Sequence, residues 1–255
     1  NHPDVRRMLM LMKSQIEAVN DLVKGRDIDA IVMSAGGNDV GFGSILTSCA
    51  LQSNCPLATT TTPPLSAYPT MQTGVQALTA ELPTGYSLIN KCFTDSTCTG
   101  TQNQNLPGLS LSPIGQVFLN SYPDPTRSET GSTCSYLTIS QEDFAWAHDT
   151  ILDPSPVDPF MYRTTQGRVV PLSSGAGSLN GAIANTAQIG WKPIMGTWSE
   201  TGTGSTGHGV CADEQSWIFG LTGIFGFTSG SFHPNPVGQK KISGIIFREM
   251  VASGF

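Results

Sequence analysis

Two short segments of the chain hold side chains suited to acid–base chemistry. Gly36-Gly37-Asn38-Asp39 presents an asparagine, whose amide is an uncharged donor fit for an oxyanion that exists only in a transition state. The two glycines before it allow a sharp turn and a close approach of backbone to substrate, which makes Gly37 a pocket candidate. Ser231-Phe232-His233-Pro234-Asn235 presents an imidazole, which titrates near neutral pH and can serve as a general base. Each segment also has a plainer use. The first suits a strand-to-helix turn in which Asn or Asp merely caps the helix, and the second suits a surface histidine ahead of a helix.

The elements around these segments are legible from apolar spacing. Pro3 to Lys24 carries Val5, Met8, Leu9, Met12, Ile16, Val19, Leu22 and Val23 at helical intervals and stops at Gly25. Ile28 to Met33 is a nearly unbroken apolar run, the pattern of a strand buried on both faces in a parallel sheet, and it leads straight into Gly36. Residues 56–74 form a Ser/Thr/Pro-rich segment expected as an exposed loop, with helical spacing resuming at Val75, Leu78 and Leu82. Gln116 to Tyr122 predicts a second buried strand, Leu179 to Gln188 a helix ended by Gly190, and Trp191 to Met195 a third strand. The last helix is the clearest. Asn235 caps it, Pro236 opens it, Ile242, Ile245, Ile246 and Met250 make its apolar stripe, and Gly254 follows its end. Helices alternating with buried strands predict a three-layer α/β/α sandwich with a parallel sheet, as one domain over residues 1–255. In such sheets ligands bind beyond the carboxyl ends of the strands, where Gly36–Asp39 falls.

Composition narrows the function classes. Charged residues make up 13% of the chain, about half the usual share, while the net charge is −6 and Lys plus Arg number 13. No basic stripe is present, so nucleic acid is not expected as a partner. A surface polar through Ser, Thr, Asn and Gly suits an extracellular protein. The six cysteines, Cys49, Cys55, Cys92, Cys98, Cys134 and Cys211, agree with an oxidising compartment. Six allow 15 pairings and sequence does not choose among them. Cys49 with Cys55 and Cys92 with Cys98 could each close a small loop, leaving Cys134 with Cys211. The spacing does not suit zinc. The most apolar stretch, Trp217 to Phe227, is about half the ~20 residues that a membrane span needs. The chain opens at Asn1 with neither an initiator Met nor a signal peptide, so an upstream piece is expected to have been removed.

Taken together, the two chemistry-bearing segments resemble a known family. GGNDVGFGSILTSC (Gly36 to Cys49) is similar to the third conserved block of the SGNH, or GDSL-like, esterases and lipases, and FHPNPVGQ (Phe232 to Gln239) to the fifth. VFLNSYP (Val117 to Pro123), LNGAIANTAQIGW (Leu179 to Trp191) and GHGVC (Gly207 to Cys211) resemble the fourth strand, the Leu-Asn helix and the His-Gly-x-Cys loop of the secreted bacterial branch. The resemblance implies a flavodoxin-like sheet of order 2-1-3-4-5, of which this chain supplies strands three to five and lacks one and two. It implies a secreted serine ester hydrolase working through an acyl-enzyme, with Asn38 the oxyanion-hole donor and His233 the general base. No cofactor and no metal are implied. The substrate would be a lipid, an acetylated glycan or a small ester, with Phe225 and Phe227 as further pocket candidates against an acyl chain.

The chain departs from the family twice. Gly230 stands where many members carry an Asp that orients the histidine. Asp213 is the nearest acid upstream, and a main-chain carbonyl in Phe227–Gly230 is the candidate substitute. The nucleophile's Gly-Asp-Ser block is absent, and so is the block with the oxyanion-hole glycine. Ser34, Ser44 and Ser178 do not suit the sharp strand-to-helix turn that a nucleophile needs. Either a companion N-terminal polypeptide carries the serine, or the chain is the C-terminal portion of a longer one. The rival expectation is a non-catalytic fragment or degenerate homologue that binds an ester or glycan without turnover. His148-Asp149 with Asp143, and His208 with Asp213, are expected in solvated or turn roles.

Overall fold

In the computed structural model, residues 14–99, 105–122, 124–152, 161–163, 169–171, 178–195, 207–220 and 232–255 are described. Ser14 caps helix α1 (Gln15–Val23), its hydroxyl accepting from the Glu17 amide while the Glu17 carboxylate accepts from the Ser14 amide. Strand β1 (Ile28–Met33) covers the residues expected of it and is followed by α2 (Phe42–Leu51) and α3 (Met71–Thr94). A hairpin of β2 (Thr97–Thr99) and β3 (Asn105–Pro107) precedes the long strand β4 (Leu111–Asn120). Then come α4 (Gln141–Ala147), which widens into a π-helical turn over His148–Leu152, and a second small antiparallel pair, β5 (Met161–Arg163) with β6 (Val169–Pro171). Helix α5 (Leu179–Ala184), a 3-10 turn (Asn185–Ile189), β7 (Lys192–Ile194) and α6 (Pro236–Ala252) complete the order.

The main sheet is parallel, in the order β1-β4-β7, and flanked by helices. That is the order expected for strands three to five. Phe118, Leu119 and Asn120 of β4 face Lys192, Pro193 and Ile194 of β7. Val117, Phe118 and Leu119 are consecutive and all buried, so the middle strand is covered on both faces at its carboxyl end. β1 differs from its expected double burial, with Val32 45% exposed. The reason is its place. It is an edge strand, and no described strand pairs with its outer side.

The chain forms two compact units, one from the residues up to Ile31 with Thr84–Val117, the other from Val32–Pro83 with Phe118–Phe255. In the first, the Asn20 amide donates to the Pro107 carbonyl at 3.1 Å and Cys92 is joined to Cys98. The second contains both chemistry-bearing segments and the other two disulfides, Cys49–Cys55 and Cys134–Cys211. With all six cysteines in disulfides, none is available as a thiolate ligand.

Several boundaries differ from the sequence expectation for local reasons. Helix α3 takes over at Met71, inside the 56–74 segment, and runs through Pro83 to Thr94, with Tyr86 and Phe93 buried along its extension. Leu65 is also fully buried within that segment, although Thr59, Thr61, Thr62 and Pro63 are exposed. The helix expected from Leu179 to Gln188 is α-helical only to Ala184 and tightens to 3-10 before Gly190. The first helix is described from Gln15 only, and its earlier residues lie outside the described set.

One buried side chain ties the end of the sheet to its surroundings. Asn180, near the start of α5, accepts from the Tyr122 amide at 2.8 Å and donates to the carbonyls of Tyr122 at 3.1 Å and Leu152 at 2.6 Å. Replacing it by an apolar residue leaves three backbone groups, one of them fully buried, without their partner. Asn180→Leu should therefore cost roughly 3 kcal/mol or more in urea unfolding. A loss under roughly 1 kcal/mol would show that these bonds do not hold the loop.

Candidate active site

At the carboxyl end of β1 the chain makes the turn that its glycines foretell. Gly36 and Gly41 take left-handed φ values of 113° and 76°, which L side chains rarely tolerate. Val40 donates to the Gly36 carbonyl at 3.1 Å, Gly41 to Asn38 at 3.1 Å and Phe42 to Gly37 at 2.9 Å. The N-cap of α2 is Gly41, with no side-chain cap bond, so neither Asn38 nor Asp39 spends its side chain on capping. The Asn38 side chain is exposed and hydrogen-bonded to no described residue. Tyr122, which follows β4, lays its ring against Gly37; a Cβ there would stand 2.6 Å from the ring Cζ and 2.9 Å from the hydroxyl. Phe42 meets the same ring at 6.5 Å between centroids.

His233 is held by backbone on both sides. Phe219 donates to the His233 carbonyl and accepts from the Phe232 amide, both at 2.9 Å, and the Asn235 amide donates to Trp217 at 2.8 Å. Phe232 is buried at φ 58°, a left-handed conformation that costs a non-glycine residue about 1 kcal/mol or more. Its ring packs edge-on against Tyr136. Burying Phe232 leaves the next side chain outward, and His233 is exposed. Asn235 then caps α6 through Gly238 at 2.9 Å, while its amide donates to the Ser216 carbonyl at 2.7 Å.

A chain of contacts links this histidine loop to the loop after β4. Trp217 donates to the His208 carbonyl at 3.1 Å, and the His208 ring stacks on the Trp217 ring at 3.9 Å, 6° from parallel. Val210 donates to the Pro125 carbonyl at 3.0 Å, Gly209 fits beneath the carbonyls of Pro125 and Arg127, and Cys211 is bonded to Cys134. The loop is in turn fixed by Asp124. Its carboxylate accepts from the Thr126 amide at 2.9 Å, from the Thr126 hydroxyl and from His148 Nδ1 at 2.6 Å, with Arg127 Nε 3.6 Å away. Burial by itself raises the Asp124 pKa. The hydrogen bond and charge of His148, with the Thr126 bonds, outweigh it and hold the carboxyl below its usual range.

His148 is thus a half-buried partner of Asp124, and His208 is an aromatic stacking partner; neither role was visible in local spacing. Asp124 followed by Thr126 is legible as an Asx turn, but its histidine lies 24 residues away. Of the serines weighed, Ser178 is buried and caps α5, Ser44 is buried and donates to the Pro63 carbonyl at 3.2 Å, and Ser34 directly follows β1. Asp213 is exposed in a 3-10 turn. Phe225, Phe227 and the Phe227–Gly230 carbonyls lie outside the described residues. Among the described residues no cluster of His, Cys, Asp or Glu could hold a metal ion, and no helix is long and apolar enough to cross a membrane.

The geometry thus defines a class of α/β protein with an exposed amide after the first strand of its sheet and an exposed imidazole at the head of its last helix. Solved structures similar to it include phospholipase A1 from Streptomyces albidoflavus NA297, at 16% identity and a TM-score of 0.47. An extracellular lipase from Streptomyces rimosus is similar at 17% identity and a TM-score of 0.49. In each case the match covers 92% of this chain and 76% of the other. No family model and no curated protein matches.

The lowered Asp124 pKa fixes the sign of a pH effect. Its stabilisation is complete above the unfolded carboxyl value of about 3.9 and is lost as pH falls through the lower folded value. The gap in urea stability between wild type and Asp124→Asn should hold steady from neutral pH down to about pH 5. It should then close under stronger acid, whereas a gap that persists unchanged there would contradict the ionised pair.

Proposed function

We propose that the protein is a secreted serine ester hydrolase of SGNH type, working through an acyl-enzyme. Asn38 donates to the oxyanion and His233 takes the proton of the attacking serine hydroxyl, then returns a proton to the leaving alcohol. The reading rests on one observation above all. The two residues singled out by the family motifs are both exposed, and both are held on loops tied to the carboxyl ends of β1 and β4. Three disulfides accord with secretion.

The nucleophile comes from a serine in a Gly-Asp-Ser block that these 255 residues do not contain, on an upstream or companion segment. No described strand pairs with the outer side of β1, which offers a parallel strand a place, and Val32 supplies apolar surface for it to cover. Ser34, Ser44 and Ser178 are not assigned this role. Ester substrates alone are implied, whether lipid, acetylated glycan or small ester, with no cofactor.

Fluorophosphonate labelling of the protein as isolated, followed by intact mass and N-terminal sequencing, tests the assignment. The label should fall on a serine of an accompanying segment and fade in His233→Ala. Asn38→Ala should lower kcat roughly 10²–10³-fold. Because the Asn38 side chain is exposed and unbonded, that variant should keep its unfolding midpoint. Absence of both label and serine-bearing segment would favour an ester- or glycan-binding protein without turnover.

A further inference from the structure

Helix α6 carries a second surface that the catalytic reading does not use. Its inward side is the expected one, with Ile245 buried and Ile242, Ile246 and Met250 half-buried. Its outward side is neither polar throughout nor neutral. Val237, Phe247 and Val251 are 55%, 66% and 50% exposed, and Lys240 and Arg248 are exposed among them. At 3.6 residues per turn these five fall within an arc of about 100°. Gly244, also on that arc, has open space above it. Lys241 flanks the arc, its ammonium 5.8 Å from the centroid of the Trp217 ring. The helix has one acid, Glu249, which is exposed but stands about 100° around the wheel from Arg248, outside the arc.

We propose that this face docks the protein on an anionic lipid surface. Two properties point to that occupant. Both charged residues of the arc are basic, so it complements an anionic surface, whereas a twofold contact between copies would set the arc against itself. Its apolar residues are interleaved with long basic side chains, which lets Phe247, Val251 and Val237 enter the acyl boundary while Lys240 and Arg248 stay at the headgroups. Val237 stands four residues after His233, just inside the helix that Asn235 caps.

Co-sedimentation with vesicles of phosphatidylcholine, with and without phosphatidylglycerol, tests the proposal. The protein should bind only the anionic vesicles and leave them at high salt. Lys240→Ala/Arg248→Ala should lower the partition coefficient about 30-fold, near fivefold for each charge. Phe247→Ala/Val251→Ala should lower it several-fold with unfolding midpoints unchanged. His233→Ala should bind as wild type does, which separates this surface from the catalytic reading. Failure to bind anionic vesicles at low salt, binding untouched by either double variant, or a dimer in lipid-free solution that Phe247→Asp dissolves would each overturn it.

Discussion

The contact on which the site depends is the packing of Tyr122 on Gly37. It joins the loop after β4 to the turn after β1, and it is possible only because position 37 has no side chain. Tyr122 cannot simply withdraw, since both its amide and its carbonyl are bonded to the Asn180 side chain. An uncharged side chain in α5 therefore sets where the peptide of Gly37 lies, and with it where Asn38 begins. On the proposed reading, in which Asn38 donates to an oxyanion, this fixes the donor before substrate arrives, and a donor that must reorganise during the reaction gives back much of its benefit.

The histidine is placed by a different means. No regular strand or helix carries it. Instead the backbone at Phe219 and Trp217 brackets it, and His208, Val210 and Cys211 relay that bracket to the loop governed by Asp124. The strained Phe232 conformation is held by burial of its ring. Hydrogen bonds, one half-buried Asp–His pair and a disulfide thus do the positioning in a chain with few charges to spare. The Asp124–His148 pair sits at the centre of this loop network, and its hydrogen bonds and charge hold the Asp124 carboxyl below its usual range.

The sequence foretold what local chemistry controls. The limits of β1, the Asn235 cap with Pro236 behind it, and the order of the three parallel strands followed from apolar runs, capping preferences and the family motifs. The candidate side chains Asn38 and His233 were legible in the same way. What stayed hidden rests on partners far apart in the chain. Asp124 with His148, Asn180 with Tyr122, and His208 with Trp217 join residues whose own neighbours carry no trace of the pairing. Helix α3 passing Pro83 was hidden too, because its continuation depends on burying Tyr86 and Phe93 and not on local propensity. The exposure of β1 reflects its edge position, which an apolar run cannot reveal.

The central claim is that Asn38 and His233 converge on one reacting atom. A crystal structure of the phosphonylated protein measures that directly. The account predicts the phosphonyl oxygen about 2.7–3.1 Å from Asn38 Nδ2, with the modified serine oxygen in hydrogen-bond reach of the His233 ring. A phosphonate bound with Asn38 and His233 both out of reach would contradict it.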